Sequence, residues 1–325
     1  MLNKMLQFLI CPLLLISFGD LAMANGYDDA RAGIAELNSG DNAEAIRLLT
    51  RALDSGQIAN GDLAAAYFDR GLARANSGEY DKAIDDYNSA VRFNPHLVDV
   101  YHSRGVAWVK KGEYDKAISD FNTAIRFNAQ DAETLDGRGV AWINKGEYDK
   151  AVADFDEAIR ANKQDTVALF YRGIAEFSIG KFGIAATDFA QKLQLSQDGA
   201  SIILLYLSRA RSGVPDSAAR LAADSSAIDE AKWPGPAITM LLGKTSPATA
   251  LEKAADANAG IQKVQMCEAY FYSGEWSLLG GDRDQAQDSF NRAVGQCPAG
   301  SWAAIAAAAE VRGGVKGTAE KKASE

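Results

Sequence analysis

The sequence predicts an all-α chain, a solenoid of stacked helix–turn–helix hairpins. Three observations predict it. One phrase recurs almost unchanged: GEYDKAIDDYNSAVRFN from Gly78, GEYDKAISDFNTAIRFN from Gly112 and GEYDKAVADFDEAIRAN from Gly146, 34 residues apart each time. A fixed period of this length marks supersecondary units that bury their apolar faces by stacking. Apolar residues also run at helical spacing, and only 7 prolines interrupt 325 residues.

The elements follow in order along the chain. Residues 1–24 read as a secretory signal: Lys4 gives a positive start, MLQFLICPLLLISFG an apolar core, and Ala22-Met23-Ala24 a small-x-small cleavage site before Asn25. The apolar run is short for a membrane span, so no integral span is expected after cleavage. The mature solenoid is expected over 25–312. Its first unit, 26–59, is weak but keeps Gly33, Ala45, Leu49 and Ala52 in register, with a four-residue insertion after it.

Three strong units follow: 64–97, 98–131 and 132–165. Each has a glycine in its first helix, helix A (Gly71, Gly105, Gly139). Each has an alanine early in helix B (Ala83, Ala117, Ala151) and another late in it (Ala90, Ala124, Ala158). These small residues let two helix backbones approach. Tyr67, Tyr101 and Leu135 on helix A, and Tyr87, Phe121 and Phe155 on helix B, fill the rest of the contact. Gly78, Gly112 and Gly146 mark the A–B turn, and Asp81, Asp115 and Asp149 begin helix B, where a carboxylate can accept orphan backbone N–H groups. Asn94-Pro95 closes the first strong unit.

Unit 166–199 keeps Gly173, Ala185 and Phe189 but has Lys192 where the late alanine belongs. The stretch 200–266 has no clean repeat and reads as two degenerate hairpins, with Pro215 and Ser246-Pro247 as helix starts. Unit 267–298 returns to pattern with Tyr270, Gly274, Ala286, Phe290, Ala293 and Pro298. Residues 300–312 are expected as a terminal helix covering the last repeat, and 313–325 as a disordered tail.

This pattern resembles the tetratricopeptide repeat family, which implies a right-handed superhelix with helix A lining the concave side. Arg70, Arg104, Arg138 and Arg172 precede the helix-A glycine, and Asp86, Asp120, Asp154 and Asp188 follow 16 residues later in helix B. An antiparallel hairpin places these heights together, so they are expected as structural ion pairs. The same logic pairs the cysteines. Cys267 opens helix A of its unit and Cys297 lies just past helix B, so the two should meet as a disulfide. Cys11 lies in the signal and lacks the neighbours of a lipid-attachment site.

The C-terminal half carries a narrower resemblance. Trp233, Leu242-Gly243, Tyr270-Phe271-Tyr272, Gly274-Glu275, Leu278-Leu279, Gly281-Asp282, Ala286, Phe290 and Ala293-Val294 are similar to the matching part of NlpI-like proteins of the bacterial envelope. That resemblance implies a non-catalytic scaffold for peptidoglycan-remodelling enzymes and a processing protease. Because the chain has no lipidation cysteine, it is expected as a soluble protein of the bacterial periplasm, not a lipoprotein.

The net charge of −9 argues against a nucleic-acid partner, which requires a basic face. No catalytic, cofactor-binding or metal-binding constellation is evident: the two histidines, His96 and His102, are not spaced as ligands, and no Gly-rich phosphate loop or G-x-S-x-G occurs. Function therefore falls to surface positions on helix A that vary between repeats: Phe68, Asp69, Asp99, His102, Glu133, Asp136, Phe170 and Tyr171. This acidic and aromatic set suits a basic, apolar peptide from another envelope protein. Two readings stay open: a periplasmic protein–protein adaptor, or a structural subunit of an export, pilus or polysaccharide assembly machine.

Overall fold

The computed structural model of the chain describes residues 25–298 and 300–314. The expected signal (1–24) and all but the first two residues of the expected tail (313–325) lie outside the described residues. Among these the structure is all-helical, with 17 helices in sequence and consecutive helices packed as hairpins. Two compact units divide between Asn94 and Pro95.

The first unit holds two hairpins, α1 (Gly26–Ser39) with α2 (Asn42–Asp54) and α3 (Asn60–Asn76) with α4 (Tyr80–Phe93). Asn25 caps α1 and Asp41 caps α2 through their side chains. Ala45, Leu49 and Ala73 form a core cluster, with Leu37 and Ile46 packed against it. The turns use Gly40 and Gly78 at φ 90° and 76°, a backbone that residues with a Cβ rarely adopt. The helix-A glycines serve close approach instead: a Cβ on Gly71 would stand 2.5 Å from the fully buried Tyr87 ring.

The second unit begins with three regular hairpins: α5 (Val98–Lys110) with α6 (Tyr114–Phe127), α7 (Ala132–Lys145) with α8 (Tyr148–Ala161), and α9 (Thr166–Ser178) with α10 (Phe182–Leu195). α11 (Gly199–Arg211) packs on α10 and buries Ile202 through Leu207 without a break, so it is covered on nearly every side. The short helices α12 (Ser217–Asp224), α13 (Gly235–Leu241) and α14 (Pro247–Lys253) fill the irregular stretch, and Ser246 caps α14 just before Pro247. α15 (Ala259–Leu279) and α16 (Arg283–Gln296) form the last hairpin, followed by α17 (Trp302–Gly313).

Three local expectations are corrected. α12 begins at Ser217, after Asp216 in the left-handed region, so Pro215 precedes the helix without starting it. α15 begins at Ala259, well before Cys267, because Asn258 accepts from Gly260 N and Ile261 N and starts the helix two turns early. The N-caps of α4, α6 and α8 are Glu79, Glu113 and Glu147, none with a side-chain cap bond. Asp81, Asp115 and Asp149 lie inside the first turn, where a carboxylate favours the positive end of the helix dipole.

Cys267 and Cys297 are joined by a disulfide, with Cα atoms 4.9 Å apart across 30 residues. In the chain-entropy account a loop of this length contributes about 3–4 kcal/mol. The bond ties the middle of α15 to the end of α16 immediately before α17 turns back. α17 packs on α15 and α16 and also along α9, a return that repeat spacing does not encode.

Candidate functional site

The arginine–aspartate pairs set the frame on which the surface is displayed. Arg70, Arg104, Arg138 and Arg172 each fork onto Asp86, Asp120, Asp154 and Asp188, donating from Nε and a terminal nitrogen at 2.6–3.0 Å. The four carboxylates are buried. Bidentate geometry of this kind opposes the desolvation of the charges and fixes the tilt of helix A on helix B, although burial still holds the Asp154 and Asp188 carboxyls above the usual range. A third contact was not legible in the sequence. Arg138 also donates to Asn122 and Arg172 to Asp156, each on helix B of the preceding repeat.

The eight variable helix-A positions separate into open and covered. Asp99 and Glu133 are exposed. His102 is half-buried: its Nδ1 lies 3.0 Å from Thr134 Oγ1, its Nε2 lies 3.7 Å from Glu133, and its ring meets the edge of Phe121. Phe68 leans on Tyr87 of its own hairpin. Tyr171 stacks on Phe155, and burial pushes its hydroxyl above the usual tyrosine range.

Two positions expected in an open groove are corrected. Phe170 meets Trp302 edge-on at 6.1 Å, because α17 returns over α9 and covers that stretch of helix-A surface. Asp136 is 7% exposed, because α7 also touches α5 and α9 and the residue is enclosed between neighbouring helix-A elements. Its Oδ1 is buried without a hydrogen-bond partner. Burial first, then the charge and hydrogen bond of Asp165, push its carboxyl up to about 8. The folded state thus keeps a proton that the unfolded chain releases near pH 4. This contribution is fully present below the unfolded pKa and is lost as pH rises through about 8. Asp136→Asn is expected to raise stability by about 1–3 kcal/mol at pH 9 and little at pH 4, flattening the stability–pH curve. Urea unfolding across that range measures it, and an unchanged slope would refute the buried-proton assignment.

In the first unit, α1 and α3 flank a cleft of about 310 Å³. Tyr27, Ala30, Arg31 and Ile34 line it from α1, and Asp62, Ala65, Ala66 and Asp69 from α3. Each set has the i, i+3, i+4, i+7 spacing of one helix face. Tyr27 Oη donates to Asp62 Oδ2 at 2.9 Å and accepts from Ala59 N at 2.9 Å, which fixes one rim. Of the sequence-predicted residues only Asp69 lies in this cleft; the α1 wall was missed, although its spacing matches that of α3. Among the described residues, no group of three His, Cys, Asp or Glu side chains could hold a metal ion, and no helix is long and apolar enough to cross a membrane.

Stacked helical hairpins, four of them braced internally by an Arg–Asp fork, define a helical-repeat protein. Tetratricopeptide repeat models match residues 30–97 and 138–200, 98–131, and 268–299. The chain belongs to the tetratricopeptide repeat family, whose members are interaction modules for proteins and peptides. No curated protein matches it in sequence. Among solved structures it is similar to a tetratricopeptide repeat protein from Parabacteroides merdae, at 20% identity and TM-score 0.54, over 83% of this chain and 93% of that one. It is also similar to MamA from Desulfovibrio magneticus RS-1, at 20% identity and TM-score 0.49, over 55% of this chain and all of that one. At 20% identity the likeness to the Parabacteroides merdae protein is one of fold.

Proposed function

We propose that this protein is a non-catalytic, exported scaffold of the bacterial periplasm that holds envelope proteins through the helix-A surfaces of its repeats. The observation that carries the reading is the pair of exposed carboxylates Asp99 and Glu133 on helix A of adjacent repeats. Exposed carboxylates that vary while the frame repeats are free to select a basic partner. Peptidoglycan-remodelling enzymes or an envelope protease are the proposed partners, supported by the resemblance of the C-terminal half to NlpI-like proteins. Two clients on one scaffold raise each other's effective concentration without any chemistry by the scaffold itself.

The test is capture from the organism's own envelope extract by tagged protein spanning residues 25–325. Murein hydrolases or a protease are expected among the captured proteins, and their yield should fall at least about ten-fold with Asp99→Lys/Glu133→Lys at unchanged helicity. Equal capture by the variant would refute the acidic-face reading. A fixed-stoichiometry set of secretion or assembly subunits would support the structural-subunit alternative.

A further inference from the structure

The cleft between α1 and α3 is a second, chemically distinct feature. Its walls are short and apolar: Ala30 and Ile34 on one side, Ala65 and Ala66 on the other. Ile34 is exposed although large and apolar. Asp69 is half-buried and, among the described residues, takes no hydrogen bond or ion pair, unlike Asp86 on the neighbouring helix, which binds both Arg70 and Arg74. Burial alone pushes its carboxyl above the usual range, with no cation to offset it. A half-desolvated carboxylate at an apolar cleft is complemented by a group that is aliphatic along its length and cationic at its tip. Arg31, the one cation among the described residues lining the cleft, is 79% exposed in its side chain and among those residues reaches only Asp28, at 3.7 Å.

We propose that this cleft is an anchor site for a lysine or arginine side chain of a partner protein, its methylenes against Ile34, Ala65 and Ala66 and its charged head on Asp69. The assignment rests on the scaffold reading for the identity of the partner, but the cleft can be tested alone.

The probe is n-butylguanidinium, titrated against the whole protein carrying ¹³C-labelled isoleucine δ1-methyl groups, with n-butanol as the uncharged control. The methyl resonances of Ile34 and of Ile58, which also lines the cleft, are expected to shift saturably with the guanidinium. Asp69→Asn should weaken binding at least about ten-fold, the scale of a lost hydrogen bond to a charged partner. Ala65→Phe, at an exposed position, should block the cleft without removing any charge. Equal shifts with n-butanol, or undiminished binding to Asp69→Asn, would overturn the proposal, as would the absence of a saturable shift. If the probe binds while no envelope protein is captured, the cleft stands and the scaffold reading fails. If capture depends on Asp99 and Glu133 while the probe does not bind, the scaffold stands and the anchor site fails.

Discussion

Replacing Arg211 with methionine is expected to lower stability by about 3–5 kcal/mol at pH 8, the range for breaking a buried ion pair by removing one partner. Arg211 donates to Glu275 at 2.9 and 3.1 Å and to Glu310 at 3.0 Å, and its guanidinium lies 4.4 Å from the Phe182 ring centroid. The Arg211 and Glu275 side chains are 2% and 0% exposed. One cation therefore faces two carboxylates in a dry interior. Burial raises the Glu275 carboxyl to about 7, against the pull of Arg211 and with a further push from Glu310. This raised group contributes stability that is fully present near pH 4 and lost as pH rises through about 7. The deficit of Arg211→Met should therefore shrink at pH 5, where Glu275 is protonated, and grow at pH 8. Replacing Glu275 and Glu310 by methionine as well should recover most of the loss, since the desolvated charges go with it. Urea unfolding at the two pH values decides the matter. A single variant within about 1 kcal/mol of the parent at pH 8 would mean that water reaches the cluster.

The second large effect is expected from Gly139→Val. A Cβ at Gly139 would stand 2.7 Å from the Phe155 ring, and Phe155 is fully buried. The ring cannot retreat, so helix A must lift from helix B, at a cost of about 3 kcal/mol by overpacking. Phe155→Leu in the same chain should recover at least half of that cost by vacating the space. Gly183→Val is the control: nothing stands within 4 Å of a Cβ there, and its cost should stay below about 1 kcal/mol. Equal effects of the two valines would show that helix propensity, not ring contact, keeps glycine at position 139.

The contrast between these two variants shows where sequence reasoning reaches. Gly139 and Phe155 stand 16 residues apart inside one hairpin, and the same spacing recurs at Gly71 with Tyr87 and at Gly105 with Phe121. Periodicity therefore reports the contact. The Arg–Asp forks were legible for the same reason, and so was the meeting of Cys267 with Cys297. Arg211, Glu275 and Glu310 recur nowhere, and their contacts span 64 and 99 residues. No local pattern announces a pairing at that range.

The candidate surface divides along the same line. Helix-A positions facing outward could be read from the repeat, and Asp99 and Glu133 are open as expected. Asp136 and Phe170 occupy a different repeat position, shared with Phe68 and His102; Asp136 is buried between neighbouring helix-A elements, and Phe170 is half-buried against Trp302 of α17.

The sequence by itself determined the helical hairpins, their glycine–aromatic contacts and their charged forks, because each depends on spacings within a single repeat. The tertiary structure decided which of the helix-A surface remains free. α17 joins α9 through Trp302 on Phe170 and joins α11 through Glu310 on Arg211. That return depends on where the seven intervening helices, α10 to α16, end in space, a sum over many small inter-helix angles that no single repeat encodes.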